Sequence, residues 1–389
     1  MTSWRLVLLV VLGLCMIGPA VPAAAPGAVV TVKNTLDVSR PSETVVLEGA
    51  VIRQAMAVED LRTVHIADAA SGKEVLAQPI DLNDDGTFDQ VVFQVDIGPR
   101  ATQTFALSVG PRQIYTKDQF KAFGRFVRER RDDFAWENDR VAHRMYGKAL
   151  ETWAEEPLTS SSVDVWFKRT RRLVVNDWYM VDDYHRDNGE GADLYSAGKS
   201  RGCGGNGIWD AGRLYTSANF VDTKSLANGP VRVMFELTYP AFDAGGVRVT
   251  EIKRVTLDAG QHLNRFESRY AGAPSVPKTQ AAGIKKHPAA LVARDKARGV
   301  LRTWEPVKTD SSNFGCAVVA DPASVVDFTE ADGNVLMVTT MSAGSDVTYY
   351  AGSAWDKGGD VKTVDEWDRY LGEAAQRIRT PLALSVAAR

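Results

Sequence analysis

The chain has 389 residues, a formal net charge of -3 and a pI near 6.0. That balance leaves no basic footprint, so a nucleic-acid partner is not expected. Its three cysteines and five histidines include no spacing of a structural zinc site.

Arg5 precedes an apolar run from Leu6 to Ile17, and small residues follow from Val21 to Ala25. This is the layout of a signal peptide over residues 1–24, cut after Ala23 or Ala24 because Pro26 is unfavourable just past a cut. The run is shorter than the ~20 apolar residues a bilayer requires. The Leu before Cys15 is too large for a lipoprotein box, so no membrane anchor is expected. A periplasmic or secreted location follows. Cys203 and Cys316 remain after processing. In an oxidising compartment they can pair or rest as two buried thiols, and their spacing decides neither.

The body of the chain reads as mainly β. Apolar and polar residues alternate in Val29–Lys33, Val91–Ile97 and Thr104–Val109. Longer runs, Val231–Tyr239, Val247–Leu257 and Leu263–Tyr270, are separated by short glycine turns, which predicts antiparallel strands. No strand–helix–strand rhythm and no Gly-x-Gly-x-x-Gly after a strand points to a nucleotide fold. A basic surface helix is expected over Lys117–Arg131. A second is expected over Val364–Arg377, acidic at its start and basic at its end. The domain reading is a small N-terminal β region, 27–112, and a large β-sandwich, 113–389.

Asp81, Asn83, Asp85, Gly86 and Asp89 match the first nine positions of a calcium loop, but Val92 stands where the bidentate Glu belongs. An acidic hairpin turn is the preferred reading, since Asn, Asp and Gly are turn residues, and a structural Ca is the alternative. No cofactor is required by anything else in the sequence. Further on, Trp136–Gly147 holds Arg140, Arg144 and Tyr146 at alternating positions, a face suited to a carboxylate through bidentate arginine. Surface ion pairs with Glu137 and Asp139 are the competing reading. His143, on the opposite face, serves as a proton-transfer group or as a core histidine.

Val181–Trp209 is the segment least explicable as structure: rich in glycine and charge, with aromatics that argue against disorder. It is expected to be a long, ordered polar loop and neither a buried strand nor a helix. Tyr184 and His185 place a phenol beside an imidazole, and Glu190 and Asp193 form a spaced acid pair. Asp182, Asp183 and Asp187 are expected to cap turns. Arg201 is a second candidate carboxylate clamp, and Tyr195, Trp209 and Trp355 are candidate sugar-binding aromatics. His287, after Lys286, is the complementary acid or base.

Three blocks, Trp136–Gly147, Tyr184–Tyr195 and Tyr349–Trp355, resemble those of the bacterial domain-of-unknown-function 4861 family across nearly all of the mature chain. The resemblance implies a secreted component of polysaccharide utilisation. At least one relative is regarded as an oligosaccharide dehydratase that removes water from a terminal uronic acid. The architecture expected is an antiparallel sandwich resembling the galactose-mutarotase-like type. Elimination from a uronate needs its carboxylate neutralised, a base for the adjacent C–H proton and an acid for the departing oxygen. The inventory of His, Tyr and Arg fits that chemistry on an acidic oligosaccharide. Glycoside hydrolysis by Glu190 and Asp193, and a non-catalytic carbohydrate-binding module, are the alternatives.

Overall fold

The computed structural model describes residues 27–181, 184–273, 278–341 and 347–389. The expected leader, Asp182 and Asp183 lie outside these residues. All the long strands read from alternation form, lengthened by one to four residues at an end, as in Arg232–Asp243 and Leu263–Ala273.

A nine-stranded antiparallel sheet runs from Asp222–Asn228 through Arg232–Asp243, Arg248–Asp258, Leu263–Ala273, Val347–Trp355 and Asn313–Val319 to the short strands Val300–Arg302 and Ala293–Asp295. Glu305–Pro306 pairs beside it, with Glu305 opposite Phe314. Two five-stranded sheets contribute to the same core. One is centred on Cys203–Asp210, Thr279–Lys285 and Asn334–Thr340. The other is centred on Asp164–Lys168, Ala142–Met145 and Asp133–Asn138. Trp136, Phe235, Phe266, Tyr349 and Val335 meet in that shared core, as a sandwich requires of inward-facing alternate residues. A disulfide between Cys203 and Cys316, with Cα atoms 5.5 Å apart, ties a strand of one layer to a strand of the other.

The N-terminal region is built of a three-stranded sheet, Arg40–Glu48, Gln90–Ile97 and Ala77–Ile80, and a five-stranded sheet that includes Ala28–Lys33 and Thr102–Val109. The boundary at 113–389 requires one correction. The last strand, Ala383–Ala388, leaves the sandwich and pairs residue for residue with Ala28–Lys33. The helix Val364–Arg379 forms as expected. The Thr363 side chain caps it by accepting from Glu366 N at 3.2 Å, and Trp367 and Leu371 face inward.

The basic helix over Lys117–Arg131 does not form. That segment is a short turn at Lys117–Gln119, a strand at Ala122–Val127 and a second turn at Arg128–Arg130. The strand buries Ala122, Gly124 and Val127. A Cβ on Gly124 would stand 2.9 Å from Val233. Packing against the sandwich therefore outweighs the local charge pattern. The expectation of a loop throughout Val181–Trp209 is corrected at its end, where Cys203–Asp210 is a buried strand. Its glycines permit close layers: a Cβ on Gly204 would come 2.3 Å from the Ala351 Cβ. Among the described residues no helix is long and apolar enough to cross a membrane.

At the acidic turn, Asp81 accepts backbone N–H groups from Asn83, Asp84 and Gly86, and Asp89 accepts from Leu82. Asn83 donates to Asp85. Among the described residues no three His, Cys, Asp or Glu side chains are grouped to hold a metal ion.

Candidate active site

The site begins in the register of one strand pair. Arg144 lies opposite Asp164 in the antiparallel pairing of Ala142–Met145 with Asp164–Lys168. Its Nε donates to Asp164 Oδ2 at 2.8 Å, and Tyr146 donates its hydroxyl to the same oxygen at 2.9 Å. Strand alternation puts Arg144 and Tyr146 on one face, as the sequence implied. Arg140 does not join them. It sits in the turn before the strand, where it donates to Asp360.

The neighbouring strand Gly191–Ala192 pairs with Phe167 and Lys168 and feeds the next residues toward Arg144. Gly191 has φ +115°, and a Cβ there would meet the Phe167 carbonyl at 1.9 Å, so only glycine admits this approach. Asp193 then accepts from Arg144 Nη2 at 2.9 Å, while Asp133 stands 3.6 Å from Nη1. Three buried aspartates thus share one buried guanidinium. Desolvation lifts Asp133 to about 7 against the pull of Arg144 and Arg130. Burial likewise raises Asp193 well above the carboxylate range. For these two carboxyls the loss of hydration outweighs the attraction of Arg144 and Arg130.

Above this cluster opens a cleft of about 430 Å³. His185, Tyr195, Arg144, Tyr146, Asp164 and Asp193 line it together with Lys285, His287, Glu305, Lys308 and Phe314. His185 Nδ1 is 3.0 Å from the Asp193 carbonyl oxygen and 3.5 Å from its carboxylate. Because a carbonyl only accepts, the neutral ring carries its proton on Nδ1 in this contact. His287 is wired the opposite way. Its Nδ1 accepts from Ala289 N at 3.2 Å, so the neutral ring carries its proton on Nε2.

The other residues singled out in the sequence lie elsewhere. His143 is fully buried, stacked on Trp136 at 5.3 Å and facing the Asn264 amide at 3.0 Å; burial lowers its pKa to about 3. It is a neutral core histidine. Arg201 is buried beside Ser160 and Ser161, its Nη1 donating to Ser161 Oγ at 3.0 Å, and burial lowers its pKa to about 10. It is not a clamp at the cleft. Tyr184 lies behind the site in an aromatic cluster with Trp166 and Tyr179, where its hydroxyl accepts from Arg130 and Arg144. Glu190 is held by Arg172 at 2.8 Å and does not line the cleft beside Asp193. Lys286 faces away and pairs with Glu330. Successive strand residues point to opposite faces, so Lys285 takes the place in the cleft. Trp209 packs with Leu336 and Val338 at another cluster. Trp355 is a core residue that donates to Ser312 Oγ at 2.8 Å.

Glu305 and Asp164 are the acids that sequence reasoning passed over. Both stand alone in short apolar runs, Trp304-Glu-Pro-Val307 and Val163-Asp-Val-Trp166. An isolated acid within a buried strand is the signal that marks them. Burial raises Glu305 to about 7, opposed by nearby Lys285.

An antiparallel sandwich with a polar cleft at one end of its sheets is the class that fold and site define. The chain belongs to the family described as Domain of unknown function (DUF4861), whose model matches residues 32–384. It is 32% identical over 373 residues to "Uncharacterized protein P7" of Formosa agariphila, covering 92% of this chain and 93% of that one. Among solved structures it is similar to a protein in the glycosyl hydrolase family 38 from Enterococcus faecalis, at a TM-score of 0.51 and 10% identity. That match covers 93% of this chain and 47% of the other, so the chain spans about half the length of that structure. An alpha-mannosidase from Enterococcus faecalis V583 gives a TM-score of 0.44 at 10% identity, over 93% of this chain and 46% of that one.

Proposed function

We propose that this protein is a periplasmic or secreted carbohydrate-active enzyme that acts on uronate-containing oligosaccharides by elimination, as a dehydratase or a lyase. The observation that carries the reading is a pair of imidazoles, His185 and His287, lining one cleft, each a side chain able to serve as base or acid. Elimination needs this pair of roles: one group removes the proton beside the carboxylate, and another protonates the departing oxygen. Lys285 and Lys308, which also line the cleft, offer positive charge to the substrate carboxylate. Arg144 is a positioning residue in this scheme, because Asp164, Asp193 and Tyr184 already occupy its guanidinium. The fold shared with a protein described as a glycosyl hydrolase is support by analogy only. The acidic turn at Asp81 has no part in the proposed reaction.

Incubation with a panel of uronate-ended oligosaccharides tests the reading. Elimination produces a conjugated uronate absorbing at roughly 235 nm, and dehydration removes about 18 Da by mass spectrometry. Hydrolysis is the second reading, favoured by the carboxyls of Glu305 and Asp164 in the same cleft. It predicts new reducing ends and no such absorbance. Binding with no covalent change would make the protein a carbohydrate-binding module.

A further inference from the structure

Among the described residues three buried side-chain atoms of the cleft lining have no hydrogen-bond partner, Asp193 Oδ1, Glu305 Oε2 and the Tyr195 hydroxyl, and the last two flank one ring. Both are placed by Phe314. The Tyr195 ring meets it edge-on with centroids 5.4 Å apart, and Glu305 is its partner across the strand pair. Glu305 is 5% exposed. The nearby Lys285 ammonium donates to the Ser196 carbonyl, not to this carboxyl. A buried donor or acceptor left unmade is costly, and folded proteins keep few of them. When they do, the missing partner is commonly water or a ligand.

The two orphans are chemically complementary. Tyr195 offers an O–H donor, and Glu305 offers an acceptor. A single hydroxyl group satisfies both, because it accepts from one and donates to the other. The floor beside them is apolar, formed by Phe314 and Val307, as suits the C–H face of a pyranose. We infer that Glu305 and Tyr195 form the subsite that grips one ring hydroxyl of a sugar bound in this cleft, the hydroxyl donating to Glu305 and accepting from Tyr195. The inference rests on the carbohydrate reading above, and it adds a recognition pair that the histidines do not supply.

The test is a direct binding titration of the purified full chain at pH 7.5, followed by calorimetry or NMR. The probes are glucuronate, galacturonate and mannuronate, each beside its neutral hexose. At least one uronate should bind saturably. Tyr195→Phe should weaken it about fivefold and Glu305→Ala about tenfold or more. The double variant should lose less than the product of the two factors, since both groups hold one hydroxyl. Lys286→Ala, outside the cleft, should bind as wild type does, and the circular dichroism of every variant should match wild type. Saturable binding unchanged by both Glu305→Ala and Tyr195→Phe overturns the subsite and leaves the uronate reading standing. Equal binding of neutral hexoses, lost in both variants, sustains the subsite and removes the uronate preference. No saturable binding of any probe up to about 100 mM, near the weak limit for a single sugar ring, also overturns it.

Discussion

His185 leans on Asp193 twice, 3.0 Å from its carbonyl oxygen and 3.5 Å from its carboxylate, while that carboxylate receives Arg144 at 2.9 Å. The exposed imidazole is therefore held by a group that is itself locked in the buried charge cluster. Function and stability separate along this chain of contacts. His185→Ala should leave the fold intact and lower turnover by roughly 100-fold or more, the scale of a lost general base. Asp193→Ala should instead lower stability, because it removes a buried acceptor of Arg144 Nη2. The 235 nm assay and urea unfolding, run on both variants, separate the two roles. Near-full activity in His185→Ala would move the chemistry elsewhere.

Arg144→Lys should behave as a stability variant. Lys offers no planar fork, so it cannot bond Asp164, Asp193 and Tyr184 together. Removing one partner from a buried ionic network costs about 3–5 kcal/mol. Urea unfolding should show a loss of this order. A variant of wild-type stability with weakened substrate binding would restore the simple role of carboxylate clamp.

Glu305→Gln should make the protein more stable at alkaline pH. The folded pKa is raised from 4.5 to about 7 by burial. A carboxyl raised in this way favours the folded state fully below its unfolded pKa, and that contribution is lost as pH rises through the folded value. The other charged or titratable residues of the cleft, Arg144, Glu156, Asp164, His185, Asp193, Lys285, His287 and Lys308, remain in both proteins. The difference between wild type and Glu305→Gln should therefore grow between pH 4.5 and 7 and plateau above it, at about 3 kcal/mol in favour of the variant. Parallel unfolding curves at pH 5 and pH 8 measure it. Equal differences at the two pH values would show that the carboxyl is ordinary.

The disulfide should be a major stabiliser. It closes a loop between Cys203 and Cys316, which are 113 positions apart in the sequence. Loop-closure entropy assigns about 4–5 kcal/mol to a crosslink of that span. Cys203→Ala with Cys316→Ala should lose stability of that order, read by urea unfolding. The cleft should loosen as well, because Cys316 shares a strand with Phe314, beneath Glu305 and Tyr195. Unchanged stability after the double substitution would refute the assignment.

Local pattern by itself determined the long strands, since alternation along Val231–Tyr239 or Val247–Leu257 is a property of neighbours in the chain. It determined the terminal helix, whose cap and charges lie within its own turns, and it pointed to the segment that brings His185, Asp193 and Tyr195 to the cleft. Alternation says that two faces exist, not which faces the core. That is why His143 and Trp355 belong to packing, and why Lys285 replaces Lys286 in the cleft. The strand at Ala122–Val127 and the glycine strand at Cys203–Asp210 were hidden by charge and glycine, whose meaning appears only against Val233 and Ala351. Only the tertiary structure decided that Glu305 and Tyr195, 110 residues apart, flank the same Phe314, and that Arg144 sits among three aspartates. Those meetings are set by strand register and by how the sheets share one core, and no local propensity encodes them.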